Sequence, residues 1–489
     1  MSQRIYRRSF LRTAGALSAA ALVGASARRA AAQPIEARRY LFVVGALGGA
    51  NILDSFMPLV ETSSPEAPSL TSFTPQNIET VPGVDLQCVA PLTEEIAGPP
   101  PHSATYAQRT FLQRHGTDTA VMTLDHSSVN HGVGQQRALN GGGIDRGRTL
   151  LEAVADCYGE DLPLAAVNMM AGEFARPGSD PTLSAYARAV AVADARYFAL
   201  GTHGSLGLPN AVDHNQLQAA RRARGNLEEM TAFGRSFAHV RSRQRYLELR
   251  ERAETLEASG LSEHLSLLSL PGFPEPTELG RILELLPNLA RDPFEAQAAL
   301  AFLLVKHGGA CAVGLSPSDA LAVEVAENPD EENAITNPAL AFDSSHNNHR
   351  LGQHVMWSRL LRVTDALITL LKETPDPQQL GGGSSMWDHS LIYVATEFGR
   401  TRTRPPGFTR FGTGHYQNNG VVLVSPLLHG GRAYGAIDPH TGLTYGFGRG
   451  SGEPMPGSKM TESDVYSVVC EALGVDFAGR VSTPSMIRG

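Results

Sequence analysis

Cysteine is scarce in this chain, and no two cysteines are close enough to form a paired motif. The chain has 489 residues and four cysteines, with no CxxC pair among them: Cys88, Cys157, Cys311 and Cys470. Disulfide scaffolds place many cysteines in a short chain, so this spacing argues against a fold of that class. Cys157, Cys311 and Cys470 lie in apolar helix or strand patterns, which predicts buried thiols.

Excess positive charge is also lacking over most of the chain. The formal net charge is −8, and the first 32 residues contain six Arg and no acidic residue, so the remainder has a net charge of −14. Proteins that bind nucleic acids or acidic lipids in general need a basic surface, and we therefore expect no nucleic-acid partner. The motif GxGxxG is missing after the first predicted strand, where Gly48-Gly49 is followed by Ala-Asn-Ile, which argues against a dinucleotide-dependent oxidoreductase.

The apolar stretch near the start of the chain is too short, and too rich in Ala and Gly, for a good membrane-spanning helix. Residues 6–12 read YRRSFLR, a twin-arginine pattern; an apolar stretch follows at residues 14–25, and three alanines precede Gln33. These features predict an export signal at residues 1–32, a partner in the twin-arginine export machinery, and a periplasmic or secreted protein without a stable membrane span after processing. The alternative is an N-terminal anchor that is retained.

Short apolar runs alternate with helical patterns over the rest of the chain. The runs at residues 39–45, 120–124, 310–315 and 391–395 are too short for helices and rich in β-branched and aromatic residues, which is typical of buried strands. Strands that alternate with helices predict an α/β fold, with a mainly parallel sheet sandwiched by helices.

One long block departs from this alternation. Within residues 215–307, residues 215–259 are helical in pattern with charges of both signs at helical spacing, and residues 278–286 and 292–307 continue as helices. We interpret this block as a helical insertion within one α/β domain that spans residues 33–489. The mixed charge indicates a solvated helix face rather than a binding patch.

Polar side chains follow the predicted strands at the points where the strands end. Asn51 and Asp54 follow the first strand, residues 125–131 (DHSSVNH) follow the second, and Glu397 follows the strand at residues 391–395. Ligands of α/β sheets bind at the carboxyl ends of parallel strands. Asp, Glu and His together suit a divalent ion such as Zn²⁺, Mn²⁺, Mg²⁺ or Ca²⁺. For Asp54, a helix cap is an equally good interpretation.

Two predicted loops add further candidate ligands. Asp343, His346 and His349 precede a long predicted helix, and His415 lies in a Gly-rich loop after Glu397. The pair at residues 388–389, Asp-His, precedes its strand instead, so we expect it at the opposite edge of the sheet.

Several of these segments resemble one known family. They are the twin-arginine leader, DSSH at residues 343–346, TEFGRT at 396–401, GTGH at 412–415 and HGGRAYGAID at 429–438. Their order is similar to that of the exported bacterial "domain of unknown function 1501" family, in the alkaline phosphatase/sulfatase-like superfamily. The similarity spans most of residues 1–475 and is most specific at residues 395–401 and 430–438.

The resemblance implies an alkaline phosphatase-like fold and a metal-dependent hydrolase that acts on a small anionic substrate, a phosphate or sulfate ester. The metal ligands that it implies are Asn51, Asp343, His346, Glu397 and His415.

The residues near the reacting group would be Asn130, His131 and Arg400. His131 or a metal-bound water would supply proton transfer or attack. Arg400 would hold an anionic oxygen bidentately or, alternatively, form a salt bridge to Glu397 or to the sheet edge. Asn51 stands where the family usually has Asp, and Asn130 stands where a Ser nucleophile is usual. These departures support a second hypothesis, a non-catalytic exported binding or assembly protein with the same fold.

Overall fold

The fold is known from a computed structural model. The structure describes residues 38–92, 106–202, 214–258, 261–269, 276, 278–317, 341–377, 383–405, 408 and 410–488. The predicted export signal, residues 1–32, lies outside the described residues.

Fourteen strands occur in the described part of the chain. In chain order they are β1 (Tyr40–Gly45), β2 (Ile78–Thr80), β3 (Gln87–Val89), β4 (Thr119–Asp125), β5 (Ala166–Asn168), β6 (Val190–Ala191), β7 (Ala312–Leu315), β8 (Ser390–Ala395), β9 (Gly399–Arg400), β10 (His415–Tyr416), β11 (Asn418–Val424), β12 (Arg432–Tyr434), β13 (Ala436–Ile437) and β14 (Thr444–Tyr445).

Twelve α-helices are described alongside these strands. They are α1 (Gln108–His115), α2 (His131–Asn140), α3 (Leu150–Tyr158), α4 (Phe198–Thr202), α5 (His214–Met230), α6 (Ala232–Ser236), α7 (Arg241–Ala258), α8 (Leu261–His264), α9 (Leu279–Leu285), α10 (Pro293–Lys306), α11 (His349–Glu373) and α12 (Glu462–Ala472).

Eight strands form the main sheet, in the order β12-β4-β11-β8-β1-β7-β5-β6. Neighbouring strands are parallel except at β11, which is antiparallel to both β8 and β4. In the register, Gly45 at the end of β1 lies beside Ala395 at the end of β8, and Asp125 at the end of β4 lies beside Asn418 at the start of β11. The carboxyl ends of the parallel strands and the start of β11 therefore share one edge. The prediction of an α/β fold with a mainly parallel sheet is confirmed.

Two groups of helices pack on the sheet. Helices α2, α3 and α12 contact one another and the strands β1, β4, β7 and β8, whereas α1, α10 and α11 form a second group that reaches β7. Helix α10 is buried from Phe294 to Val305, as expected of a helix that is apolar on every side. Although it falls within the block predicted as an insertion, α10 packs directly on β7.

Two further sequence predictions can be compared with the structure. Cys311 and Cys470 are buried, but Cys157 is exposed because it lies on the outer side of the last turn of α3, so that prediction was wrong. Asp388 and His389 lie in the short turn that leads into β8, at the edge opposite to Glu397, as expected.

Among the helices that the structure describes, none is both long and apolar enough to cross a membrane.

We expect Gly48→Ala to destabilise the protein more than Gly83→Ala does. Both glycines have a left-handed backbone, with φ of 89° and 79°. A Cβ atom on Gly48 would lie 2.4 Å from the backbone nitrogen of Asp343, whereas one on Gly83 would have nothing within 4 Å. Both changes should cost about 1–2 kcal/mol of backbone strain. The steric clash should add about 1–3 kcal/mol at Gly48. Urea unfolding measures the difference, and equal losses would contradict this packing.

Candidate functional site

Glu397 follows β8 by two residues and is fully buried. Its Oε1 atom accepts hydrogen bonds from the backbone N–H of Gly48 at 2.8 Å, from Nδ1 of His131 at 3.1 Å and from Nε2 of Gln135 at 3.3 Å. Its Oε2 atom is buried and has no hydrogen-bond partner. The carboxylate is thus held by one oxygen, and the other, buried oxygen has hydrogen-bonding capacity that is not used.

Helix α2 brings His131 to this carboxylate. Asn130 caps the helix, because its side-chain oxygen accepts a hydrogen bond from the N–H of Val133 at 3.2 Å. A Cβ atom on Gly134 would lie 2.5 Å from the carbonyl oxygen of Glu397, so only glycine lets the helix approach this closely. The predicted catalytic position Asn130 therefore has a capping role, and His131 is the side chain that reaches the site.

The hydrogen bond to Glu397 fixes the tautomer of His131. Oε1 of Glu397 also accepts from the N–H of Gly48, so Nδ1 of His131 acts as the donor, and in this tautomer Nε2 carries the lone pair. That Nε2 atom lies 3.8 Å from Oδ2 of Asp343. A histidine oriented by a carboxylate in this way is the usual arrangement of a metal ligand.

His415 has the same arrangement on the other side of the site. It begins β10, which pairs with β9 so that His415 lies beside Arg400. Its Nδ1 donates to the carbonyl oxygen of Val129 at 3.1 Å, and its ring stacks on Phe398 with centroids 4.1 Å apart. Nε2, which keeps the lone pair, consequently lies 3.5 Å from Oδ1 of Asp343 and 2.9 Å from Nε2 of His346.

Asp343 is the carboxylate on which these rings converge. It lies in the short 3-10 helix Ala341–His346, which also places Nε2 of His346 3.2 Å from Oδ1 of Asp343. Nε2 of His346 and Nε2 of His415 are 2.9 Å apart. These separations are close to the edge of about 3.3 Å expected for a tetrahedral ion with bonds of about 2.0–2.1 Å. The donor atoms of His131, Asp343 and His415 also lie within 4.8 Å of one another.

The charges at the site favour ligand binding at neutral pH. Burial alone would raise the pKa of Asp343, but the hydrogen bond and charge of Arg400, with His346 and His131 nearby, lower it below its usual range. The pKa of His415 is lowered by burial and by the charges of Arg400 and His131. At neutral pH Asp343 is therefore ionised and His415 neutral, which are the forms in which a carboxylate and an imidazole can bind a cation.

Arg400 is buried beneath Asp343 and holds it from behind. Its guanidinium donates to Oδ1 of Asp343 at 2.7 Å, to Nε2 of His346 at 3.4 Å, and to the carbonyl oxygens of Gly48 and Phe342. Arg400 thus forms its salt bridge with Asp343 rather than with Glu397, and it donates hydrogen bonds to carbonyl oxygens at the sheet edge. In this arrangement the guanidinium orients the carboxylate of Asp343 and is not free to bind a substrate oxygen bidentately.

Asn51 belongs to a different buried network. Its side-chain nitrogen donates to Oδ2 of Asp54, and its oxygen accepts from Arg402 at 2.6 Å. Asp54 also accepts from His349 at 2.8 Å and Arg350 at 2.6 Å. These bonds use both ends of the Asn51 side chain, and they place Asn51, Asp54 and His349 outside the His131–Asp343–His415 group.

The two serines near His131 also make local bonds. The backbone N–H and the hydroxyl of Ser127 both donate to Oε1 of Glu462, each at 2.7 Å. The hydroxyl of Ser128 accepts from the N–H of Asn130 at 3.1 Å. Both hydroxyls therefore support the loop between β4 and α2.

A cavity of about 820 Å³ opens beside His415. Asp125, Tyr416 and Lys459 line it, and Nζ of Lys459 lies 2.5 Å from Oδ2 of Asp125. This is a common volume for a small-molecule site. An anionic ligand in the cavity could take a hydrogen bond from Lys459 while it approaches His415.

Three contacts at the site are absent from the sequence predictions: Gln135, Phe398 and the carbonyl of Val129. Gln135 follows His131 by four residues, so helical spacing could have placed both on the face toward Glu397. Phe398 stands within the TEFGRT segment, beside Glu397. The contact of Val129 is made by its backbone, for which its side chain gives no signal.

The sequence matches no protein-family model and no curated protein.

His126, buried just beyond β4, should make stability depend on pH. Both of its ring nitrogens lack a hydrogen-bond partner, and burial lowers its pKa to about 4. The unfolded chain binds a proton near the usual pKa of about 6.5, so histidine protonation favours unfolding as pH falls below that value. Between pH 7 and pH 5 this group should cost about 2 kcal/mol.

Urea unfolding of the wild type and of His126→Leu at both pH values isolates this contribution. The variant should lose about 2 kcal/mol less than the wild type on going from pH 7 to pH 5. Parallel pH profiles for the two proteins would show that His126 does not resist protonation in the folded state.

Proposed function

We propose that this protein is an exported, metal-dependent hydrolase of phosphate or sulfate esters, with its metal held by His131, Asp343 and His415. The observation that supports this most directly is the orientation of the two histidines. Each donates its Nδ1 hydrogen to an oxygen, and each directs the lone pair of Nε2 at the ionised Asp343. Facing electron pairs repel one another unless a cation lies between them.

The donor set fits a divalent metal of the borderline class. Two imidazole nitrogens and one carboxylate oxygen are suited to Zn²⁺ or Mn²⁺ more than to Ca²⁺ or Mg²⁺, which prefer oxygen ligands only. A bound ion of this kind supplies Lewis acidity toward phosphoryl or sulfuryl oxygens. Glu397 orients His131, and Arg400 orients Asp343, as residues behind metal ligands do.

The cavity beside His415 and the positive charge of Lys459 in its wall support an anionic substrate. The cavity beside His415 has room for an ester with a sizeable leaving group, and Lys459 is placed in its wall. His131 lies at the site through Nε2 and could move a proton there. The proposal also includes an alkaline phosphatase-like fold, which rests on the family resemblance. It includes export to the periplasm as well, which rests on the twin-arginine pattern at residues 6–12.

A second candidate function is a non-catalytic binding or assembly protein that keeps the metal. The observation that favours it is the use of the nearby polar side chains, since Asn130 caps α2 and Ser127 is bonded to Glu462. Asn130 has no hydroxyl group, and the hydroxyl of Ser127 is bonded to Glu462, so neither residue supplies the hydroxyl nucleophile that the superfamily uses. Turnover of an ester separates the two functions.

We expect Asp343→Asn to remove the metal and the activity. The amide keeps the shape of the side chain but loses the charge that offsets the cation. Elemental analysis of the purified full chain should find about one metal ion fewer per chain, and hydrolysis of nitrophenyl phosphate or sulfate should fall at least about 100-fold. His429→Gln is the matched control, because this exposed histidine precedes β12 at the opposite edge of the sheet.

The outcomes of this experiment are distinct. Equal metal content in the wild type and in Asp343→Asn would remove the assignment of this site. Metal that is lost with Asp343→Asn, but without turnover of any phosphate or sulfate ester by the wild type, would favour the binding protein.

Glu397→Gln should weaken metal binding without abolishing it. The amide can still contact His131, but it no longer favours the tautomer that directs Nε2 at Asp343. Loss of such an orienting partner costs about 10–100-fold in metal affinity. Competition with a metal-sensitive dye measures the affinity, and an affinity unchanged from wild type would show that Glu397 does not orient His131.

A further inference from the structure

A second group of metal-ligating side chains lies in the helical part of the chain. It consists of His264 at the end of α8, Glu278 just before α9 and His307 just after α10. Their donor atoms lie within 4.8 Å of one another. The packing of three separate segments brings them together, and no motif in the sequence marks them.

Both imidazoles in this group are directed at one carboxylate. Nδ1 of His264 lies 3.5 Å from Oε1 of Glu278, and Nε2 of His307 lies 3.1 Å from each oxygen of that carboxylate. The two rings stack with centroids 4.4 Å apart and an angle of 14° between their planes. Two of the donor separations are again close to the tetrahedral edge of about 3.3 Å.

The group is partly shielded from water. The side chains of His307 and Glu278 are 18% and 25% exposed, and that of His264 is 47% exposed.

We propose that His264, Glu278 and His307 form a second binding site for a borderline divalent cation such as Zn²⁺. Two imidazoles and one carboxylate are a common ligand set for zinc, with a fourth position left to water. The ion would join α8 to the ends of α9 and α10, so its role is structural.

This site is independent of the candidate active site. His307 shortly precedes β7, whereas the candidate active site lies where the parallel strands end. The two sites are thus at opposite edges of the sheet. Loss of one should leave the other intact, and each can be tested by itself.

Lys306 provides a sharp test because it competes with a cation. Its Nζ lies 2.5 Å from Oε2 of Glu278. If the group is only a cluster of ion pairs, Lys306→Met removes one partner and no zinc site appears. If the group binds zinc, the same change removes a repulsive charge and should tighten binding about tenfold.

The experiment uses the full chain with Asp343→Asn, so that the first site is not counted. After treatment with a chelator, zinc is titrated by calorimetry, and the unfolding temperature is measured with and without zinc. We expect one zinc per chain and a rise in unfolding temperature. Added His307→Gln or Glu278→Gln should weaken binding at least about tenfold and remove the rise, and added Lys306→Met should tighten binding.

Circular dichroism of each variant verifies that it is folded. The proposal is overturned if the Asp343→Asn chain binds no zinc, or if folded His307→Gln binds it as tightly as its parent. Neither result bears on the proposed hydrolase, because the metal content and turnover of that site are measured against Asp343→Asn.

Discussion

The buried guanidinium of Arg400 is the interaction on which the geometry of the site depends. It donates to the carboxylate of Asp343 and to the carbonyl oxygens of Gly48, Phe342 and Thr413. These acceptors belong to three different segments: the loop after β1, the 3-10 helix and the loop before β10. Removing one partner of a buried ion pair typically costs about 3–5 kcal/mol. Arg400 therefore fixes the position of the Asp343 carboxylate, which is the group nearest to Nε2 of His131 and of His415 among the acidic side chains of the site.

Much of the sheet and of its functional edge could be predicted from the sequence. Strands such as β1 and β8 are buried on both faces, so they appear as continuous runs of β-branched and aromatic residues. The direction of parallel strands then places their polar ends together. That reasoning brings Glu397 to this edge, whereas Asp343, His346 and His415 are expected there from the predicted loops and the family resemblance. The structure brings the four side chains together.

The roles of individual side chains could not be predicted in the same way. Asn51 is at the correct edge, but its amide is used by Asp54 and Arg402, and Asn130 is used as a helix cap. These outcomes depend on loop backbone angles that determine where each side chain points, and the strand pattern contains no information about them. The grouping of His264 with His307 depends on helix packing and is equally invisible in sequence spacing.

The antiparallel strand β11 has a consequence for when the site can exist. It lies between β4 and β8 and pairs with both, so it joins the part of the sheet formed by β12 and β4 to the part that begins with β8. His415 enters the site immediately before β11 begins. The side chains of the proposed metal site therefore come together only in a chain whose sheet is complete, and binding of the proposed metal would report on the folding of the sheet as a whole.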